Sequence, residues 1–175
     1  MKRISSFLIS ILLSIAFAQN SYSGETKPAA KAPPEFEAIK SLQGHWTAEV
    51  DMNGQKETVK AIYKPTSGGS AVESTIYAGS PKEMVSMYFL DGSKLMMTHY
   101  CMLGNQPRMK LTQFIPGKSL KFEMADATGM ATPNDPHMGG LTVILKDKDH
   151  MTEEWVMFSP DGKKEAHAFN YIREK

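Results

Sequence analysis

Gly44-His45-Trp46-Thr47-Ala48-Glu49-Val50-Asp51-Met52, followed at once by Asn53-Gly54, is the stretch that decides the fold. Successive side chains of an extended chain point to opposite faces, so Trp46, Ala48, Val50 and Met52 share one side and His45, Thr47, Glu49 and Asp51 the other. The same apolar residues at period two would not form one stripe of a helix. Asn-Gly supplies the positive φ angles of a tight hairpin turn, so the strand ends there and the chain reverses.

Toward the C-terminus the pattern repeats. Turn signals recur at Ser67-Gly68-Gly69, Gly79-Ser80-Pro81, Asp91-Gly92, Gly104 to Pro107, Pro116-Gly117, Asp147 to Asp149 and Pro160-Asp161-Gly162. Between them lie segments such as Leu120, Phe122, Met124 against Lys121, Glu123, and Met151, Trp155, Met157 against Thr152, Glu154. About ten segments of strand length with such short links predict an up-and-down meander, and a sheet of that many strands curls and closes. The expectation is an all-β, closed antiparallel barrel over residues 34–175. Pro34 to Gln43 predicts one short N-terminal helix, because Phe36, Ile39 and Leu42 recur at three-residue spacing behind a proline start. Its apolar stripe is expected to plug one end. The segment Ala125 to Gly140, with Asp126-Ala127-Thr128-Gly129 and Pro133-Asn134-Asp135-Pro136, predicts a long mouth loop or lid with Met130 and Met138 beneath it.

Toward the N-terminus the composition changes twice. Lys2 and Arg3 precede an apolar run from Ile4, and Ala16-Phe17-Ala18 gives a small-x-small cleavage pattern, so residues 1–18 read as a secretory signal peptide. Residues 19–33, rich in Ser, Ala, Lys and Pro, read as a flexible leader. The mature protein is therefore expected in the periplasm or secreted, without membrane insertion after cleavage. Cys101 is the sole cysteine, so stability must come from a core and not from an internal disulfide. A net charge of +1 implies no nucleic-acid partner, and composition leaves the oligomeric state open.

Gly44-x-Trp46, the strand ladder and Arg173 together resemble the lipocalin and calycin superfamily, over a stretch from about Leu42 to Lys175. The resemblance implies a calycin-like barrel in which Arg173 stacks on Trp46 as a cation–π pair. Thr98-His99-Tyr100-Cys101 with Asn105-Gln106-Pro107-Arg108-Met109 is similar, more narrowly, to uncharacterised bacterial secreted lipocalin-like proteins, which implies a fold and a compartment. Some calycin-like bacterial barrels bind haem through a barrel histidine. By that resemblance His99 would be an axial candidate and His137 a second.

Leu95, Met97, His99 and Cys101 share one face of their strand. Facing inward, they carry an imidazole and a thiol into the barrel, where a polar group needs a partner or a ligand. The same parity argument places Glu73, Gln113, Glu153 and Asn170 inside. His99 is then paired with an interior acid beside an inert Cys101, or it orients a small molecule in an apolar cavity whose walls include Trp155, Phe122, Tyr88 and several methionines. In a third reading His99 acts with Cys101 or an interior Glu on a small substrate. Thirteen methionines raise a soft-metal alternative, copper held by Met97, His99, Cys101 and His137. Met96 and Met102 fall on the opposite face of that strand. Arg108, with Asn105 and Gln106, either grips an anion at the rim or serves the turn. The sequence favours a binding protein for a small, largely apolar molecule, with no cofactor expected.

Overall fold

The computed structural model describes residues 32–52 and 54–175. The signal-peptide reading at 1–18 and most of the 19–33 leader lie outside them. One helix, α1 (Pro34–Lys40), precedes strands β1 (Gly44–Met52), β2 (Gln55–Thr66), β3 (Ala71–Ile76), β4 (Met84–Asp91) and β5 (Lys94–Tyr100). Five more follow: β6 (Gln106–Ile115), β7 (Ser119–Thr128), β8 (His137–Leu145), β9 (His150–Phe158) and β10 (Lys164–Arg173). They form a closed barrel in which every strand runs antiparallel to its neighbours in sequence and β10 returns to β1. No helix among the described residues is long and apolar enough to cross a membrane.

The alternation that begins at Gly44 produces this closure. In β1, Trp46 and Ala48 are buried while Glu49 and Asp51 sit outside, and β2 answers with Val59, Ala61 and Tyr63. The hairpin between them closes at Met52 opposite Gln55. It turns on Gly54, whose φ of 83° requires a glycine-like conformation and whose N–H donates to Asp51 Oδ1 at 2.6 Å. The inward faces of the other strands add Val72, Leu95, Met97, Met109, Leu120, Phe122 and Val143 to one continuous core.

α1 starts on Pro34 and buries Phe36 and Ile39, and Leu42 follows them into the core. It seals the end of the barrel where β1 begins and β10 ends. There Trp46 Nε1 donates to Leu42 O at 2.8 Å, and the Arg173 guanidinium lies 4.0 Å from the Trp46 ring centre. Arg173 also donates to the carbonyls of Ser41 and Gln43 in the link between α1 and β1 and of Lys148 in the turn between β8 and β9. Gly44 makes room for it: at φ 135° a Cβ here would stand 2.8 Å from Arg173 Nη1. Arg173→Ala is expected to cost about 2–3 kcal/mol, the stacking plus charge-assisted hydrogen bonds to carbonyls that then face a void. A fall in Tm of several degrees would show it, and an unchanged Tm would refute it.

Two features differ from the sequence reading. β7 runs on through Thr128 opposite Gln106, so the long connection is only Gly129 to Pro136. Asp126 stays in the strand because Arg108 on β6 holds both its oxygens from across the ladder, a partner that local composition does not reveal. The closing ladder between β1 and β10 is short: Trp46 pairs with Arg173 and Thr47 with Ile172, and the register goes no further.

Candidate functional site

At the end opposite α1 the barrel holds a cavity of about 600 Å³. Its walls come from the last residues of β1, β3, β5 and β9 and the first of β4, β8 and β10, which an up-and-down topology brings to one rim. Most of the lining side chains are apolar: Val50, Ile76, Met84, Met138, Trp155, Met157 and Phe169. Two imidazoles, His99 and His167, join them, together with the Tyr77 ring and the Lys82 side chain.

His99 sits on the inward face of β5 and is 1% exposed. Its cross-strand partner is Ser86 on β4, and the Ser86 hydroxyl lies 2.9 Å from His99 Nδ1. The Trp155 ring flanks it at 4.7 Å between ring centres, tilted by 47°. His99 Nε2 has no hydrogen-bond partner. Burial pulls the imidazole down to about 4, because the cation would have to shed its water. At neutral pH the ring is therefore uncharged, and one buried nitrogen in a cavity wall is left without a partner.

Glu153 lies behind this wall, also 1% exposed. Its Oε1 accepts from the Tyr63 hydroxyl at 2.5 Å and its Oε2 from Trp155 Nε1 at 2.8 Å. Burial pushes the carboxyl above its ordinary value, and the same burial, with the carboxylate beside it, pushes the Tyr63 phenol up. The acid thus fixes the indole that flanks His99, and does not pair with His99 itself. The interior acid–imidazole pair expected from the sequence is replaced by Ser86–His99 on one side and Glu153–Trp155 on the other. Ser86 does not line the cavity, so its contact orients the ring.

Other candidates fall elsewhere. Glu73 sits on the outer face of β3, where Val72, Ser74 and Ile76 take the inward positions. Gln113 is exposed because a register shift between Leu111 and Gln113 flips the alternation. Asn170 is exposed and bonds to Thr152 and Lys146 on the outside. Arg108 is held by Asp126 on the outer surface, with Nε to Oδ1 at 2.6 Å, and grips nothing at the rim. Asn105 is buried and ties its turn to Pro136 O at 2.8 Å, while Gln106 accepts from Thr128. Tyr88 is buried against Tyr63 and Phe122, below the cavity and not in its wall.

Cys101 follows β5 and is buried, but it does not line the cavity; burial pushes its thiol up, away from the nucleophilic thiolate. Met97 lies in the core. His137 stacks on Phe158, with ring centres 5.2 Å apart and planes 4° from parallel, and its Nδ1 lies 2.6 Å from Asp135 O. It does not line the cavity with His99, so the axial pair that the resemblance implies, His99 with His137, is not brought together there. Nor do Met97, His99, Cys101 and His137 converge as copper ligands. Among the described residues no group of three or more His, Cys, Asp or Glu is placed to hold a metal.

Met138 and Trp155 line the cavity as the sequence reading expects. Met102 does so too, because the chain leaves the strand after Tyr100 and the alternation that set Met102 outside no longer applies. His167, Met84 and Met157 complete the wall. The signal for His167 was present: it shares parity with Phe169 and Tyr171, the two buried residues of β10.

Fold and site together define a closed, ten-stranded, calycin-like barrel, plugged at one end and carrying a largely apolar cavity at the other. Among solved structures the chain is similar to Rv2717c from M. tuberculosis, at 14% identity and a TM-score of 0.55, over 82% of this chain and 99% of that one. It is also similar to a protein of unknown function from the DUF3598 family of Nostoc punctiforme, at 12% identity and a TM-score of 0.54, over 78% of this chain and 48% of that one. These likenesses speak for the fold alone. No family model and no curated protein matches the sequence.

Proposed function

We propose that the protein is an exported, lipocalin-like binding protein for a small, largely apolar molecule. Export rests on the signal-like residues 1–18. The observation that carries the binding role is His99: a neutral imidazole, fully buried, lining a largely apolar cavity with its Nε2 unpartnered. A buried polar atom without a partner is costly, and a ligand that supplies one recovers that cost. Met84, Met138 and Met157 give the pocket adaptable walls, and Trp155, locked by Glu153, gives it a rigid one.

N-phenyl-1-naphthylamine, whose fluorescence rises in apolar surroundings, is the probe for this reading. The protein should bind it, and His99→Ala should weaken binding about five- to tenfold, the worth of one neutral hydrogen bond. Failure of the wild-type protein to take up the probe would sink the proposal. Native mass spectrometry and an absorption spectrum of periplasmic protein identify the natural ligand by mass, and a Soret band there would replace this reading with a haem one.

A further inference from the structure

The cavity is lined by four residues that its interior parity does not explain: Glu49 and Asp51 on β1, and Ala166 and Ala168 on β10. The side chains of Glu49 and Asp51 belong to the outer face, since Trp46 and Ala48 are buried. With their side chains outside, it is the backbone of these residues that can border the cavity. In an antiparallel ladder the N–H and C=O of one residue point to the same neighbour, and alternate residues serve alternate neighbours. Glu174 N–H donates to His45 O, while Arg173 N–H donates to Asp149 O on the β9 side. Odd residues of β1 and even residues of β10 therefore direct their main chains toward each other. Continued beyond Thr47–Ile172, the register would set Asp51 opposite Ala168, but the ladder has ended. Glu49 and Asp51 keep their partners on β2, and Ala166 and Ala168 theirs on β9, but the sides of these main chains that face each other border a seam that the β1–β10 ladder does not bridge.

We propose that the ligand of this cavity bears an amide: its apolar group packs against Trp155, and a secondary amide or short peptide stretch lies in the seam, bonded to the free main chain of β1 and β10. The proposal rests on the apolar reading of the cavity given above and names the class of its occupant. Two facing strand edges offer donors and acceptors at the spacing of a peptide, which is how sheet edges capture extended chains, while the pocket beneath selects the side group. An acylated amino acid or a peptide with an aromatic or aliphatic end has this chemistry.

The test compares N-benzyldecanamide with benzyl decanoate, isosteres that differ in the amide N–H, titrated into the full mature chain by quenching of tryptophan fluorescence. An amide without hydrogen-bond partners would bind more weakly than the ester, because it loses more hydration. The seam should reverse that order and favour the amide about tenfold. Equal affinities, or a preference for the ester, would overturn the amide proposal and leave the apolar reading standing; binding of neither would overturn both. Amide hydrogen exchange gives the location. The N–H groups of Glu49, Asp51, Ala166 and Ala168 should exchange quickly in the free protein and slow at least tenfold with N-benzyldecanamide. Slow exchange already in the free protein, protection that appears only with rising protein concentration, or no change on binding would each overturn the proposal, the second by assigning the seam to another copy of the chain.

Discussion

Glu153→Ala is expected to lower the unfolding free energy by about 3–5 kcal/mol, the largest effect of any single substitution considered for this barrel. The carboxylate accepts from Tyr63 and from Trp155, both buried. Truncation leaves two donors dehydrated and opens a void that closed sheets cannot collapse around. Glu153→Gln should cost less, because one oxygen still accepts while the new NH₂ opposes a donor. Urea unfolding monitored by near-ultraviolet dichroism reads both effects, since Trp155 loses its anchor. An alanine variant with the wild-type midpoint would show that the acid holds nothing in place.

The second large effect is with acid. His99 is pulled from about 6.5 to about 4 on folding, so below pH 6.5 the unfolded chain takes up a proton that the folded barrel refuses. Stability on this account is whole above 6.5, falls as the pH drops, and levels off near 4. The loss between neutral pH and about pH 4.5 is about 2–3 kcal/mol. Glu153 acts in the opposite sense: raised on folding, its contribution is present below the ordinary carboxyl range and is lost as the pH rises toward its folded value. The two oppose each other over the same interval, so the wild-type curve alone does not separate them. Comparing it with His99→Phe does: the variant should lack the acid loss, and parallel curves for the two proteins would refute the assignment.

Much of this architecture is written locally. β1 and its Asn-Gly turn are legible because the period-two pattern and the positive φ at Gly54 both depend on adjacent residues. His99, Trp155 and Glu153 were placed inside by the same parity, with apolar neighbours on each strand to confirm the phase. Parity does not place Glu73, because Ala71-Val72-Glu73-Ser74-Thr75-Ile76 carries apolar or small residues in both phases, and only packing against β2 and β4 chooses between them. Gln113 was lost to a bulge, which shifts the phase without changing composition. The role of Arg108, rim grip or turn, is not legible locally because its partner Asp126 lies across a ladder whose extent depends on that pair. Local sequence reports phase; it does not report bulges or the pairs that prolong a strand.

Met84, Met102, Met138 and Met157 all face the cavity, and Met102 is 63% exposed. A thioether takes an oxygen atom from hydrogen peroxide, yielding a sulfoxide and water, and the product is polar where the parent was not. Oxidation would therefore rewrite the greasiness of this mouth from the rim inward, Met102 first, and a reductase would restore it. Under the binding role proposed above, the oxidation state of its sulfur would then decide how well this pocket holds oily molecules.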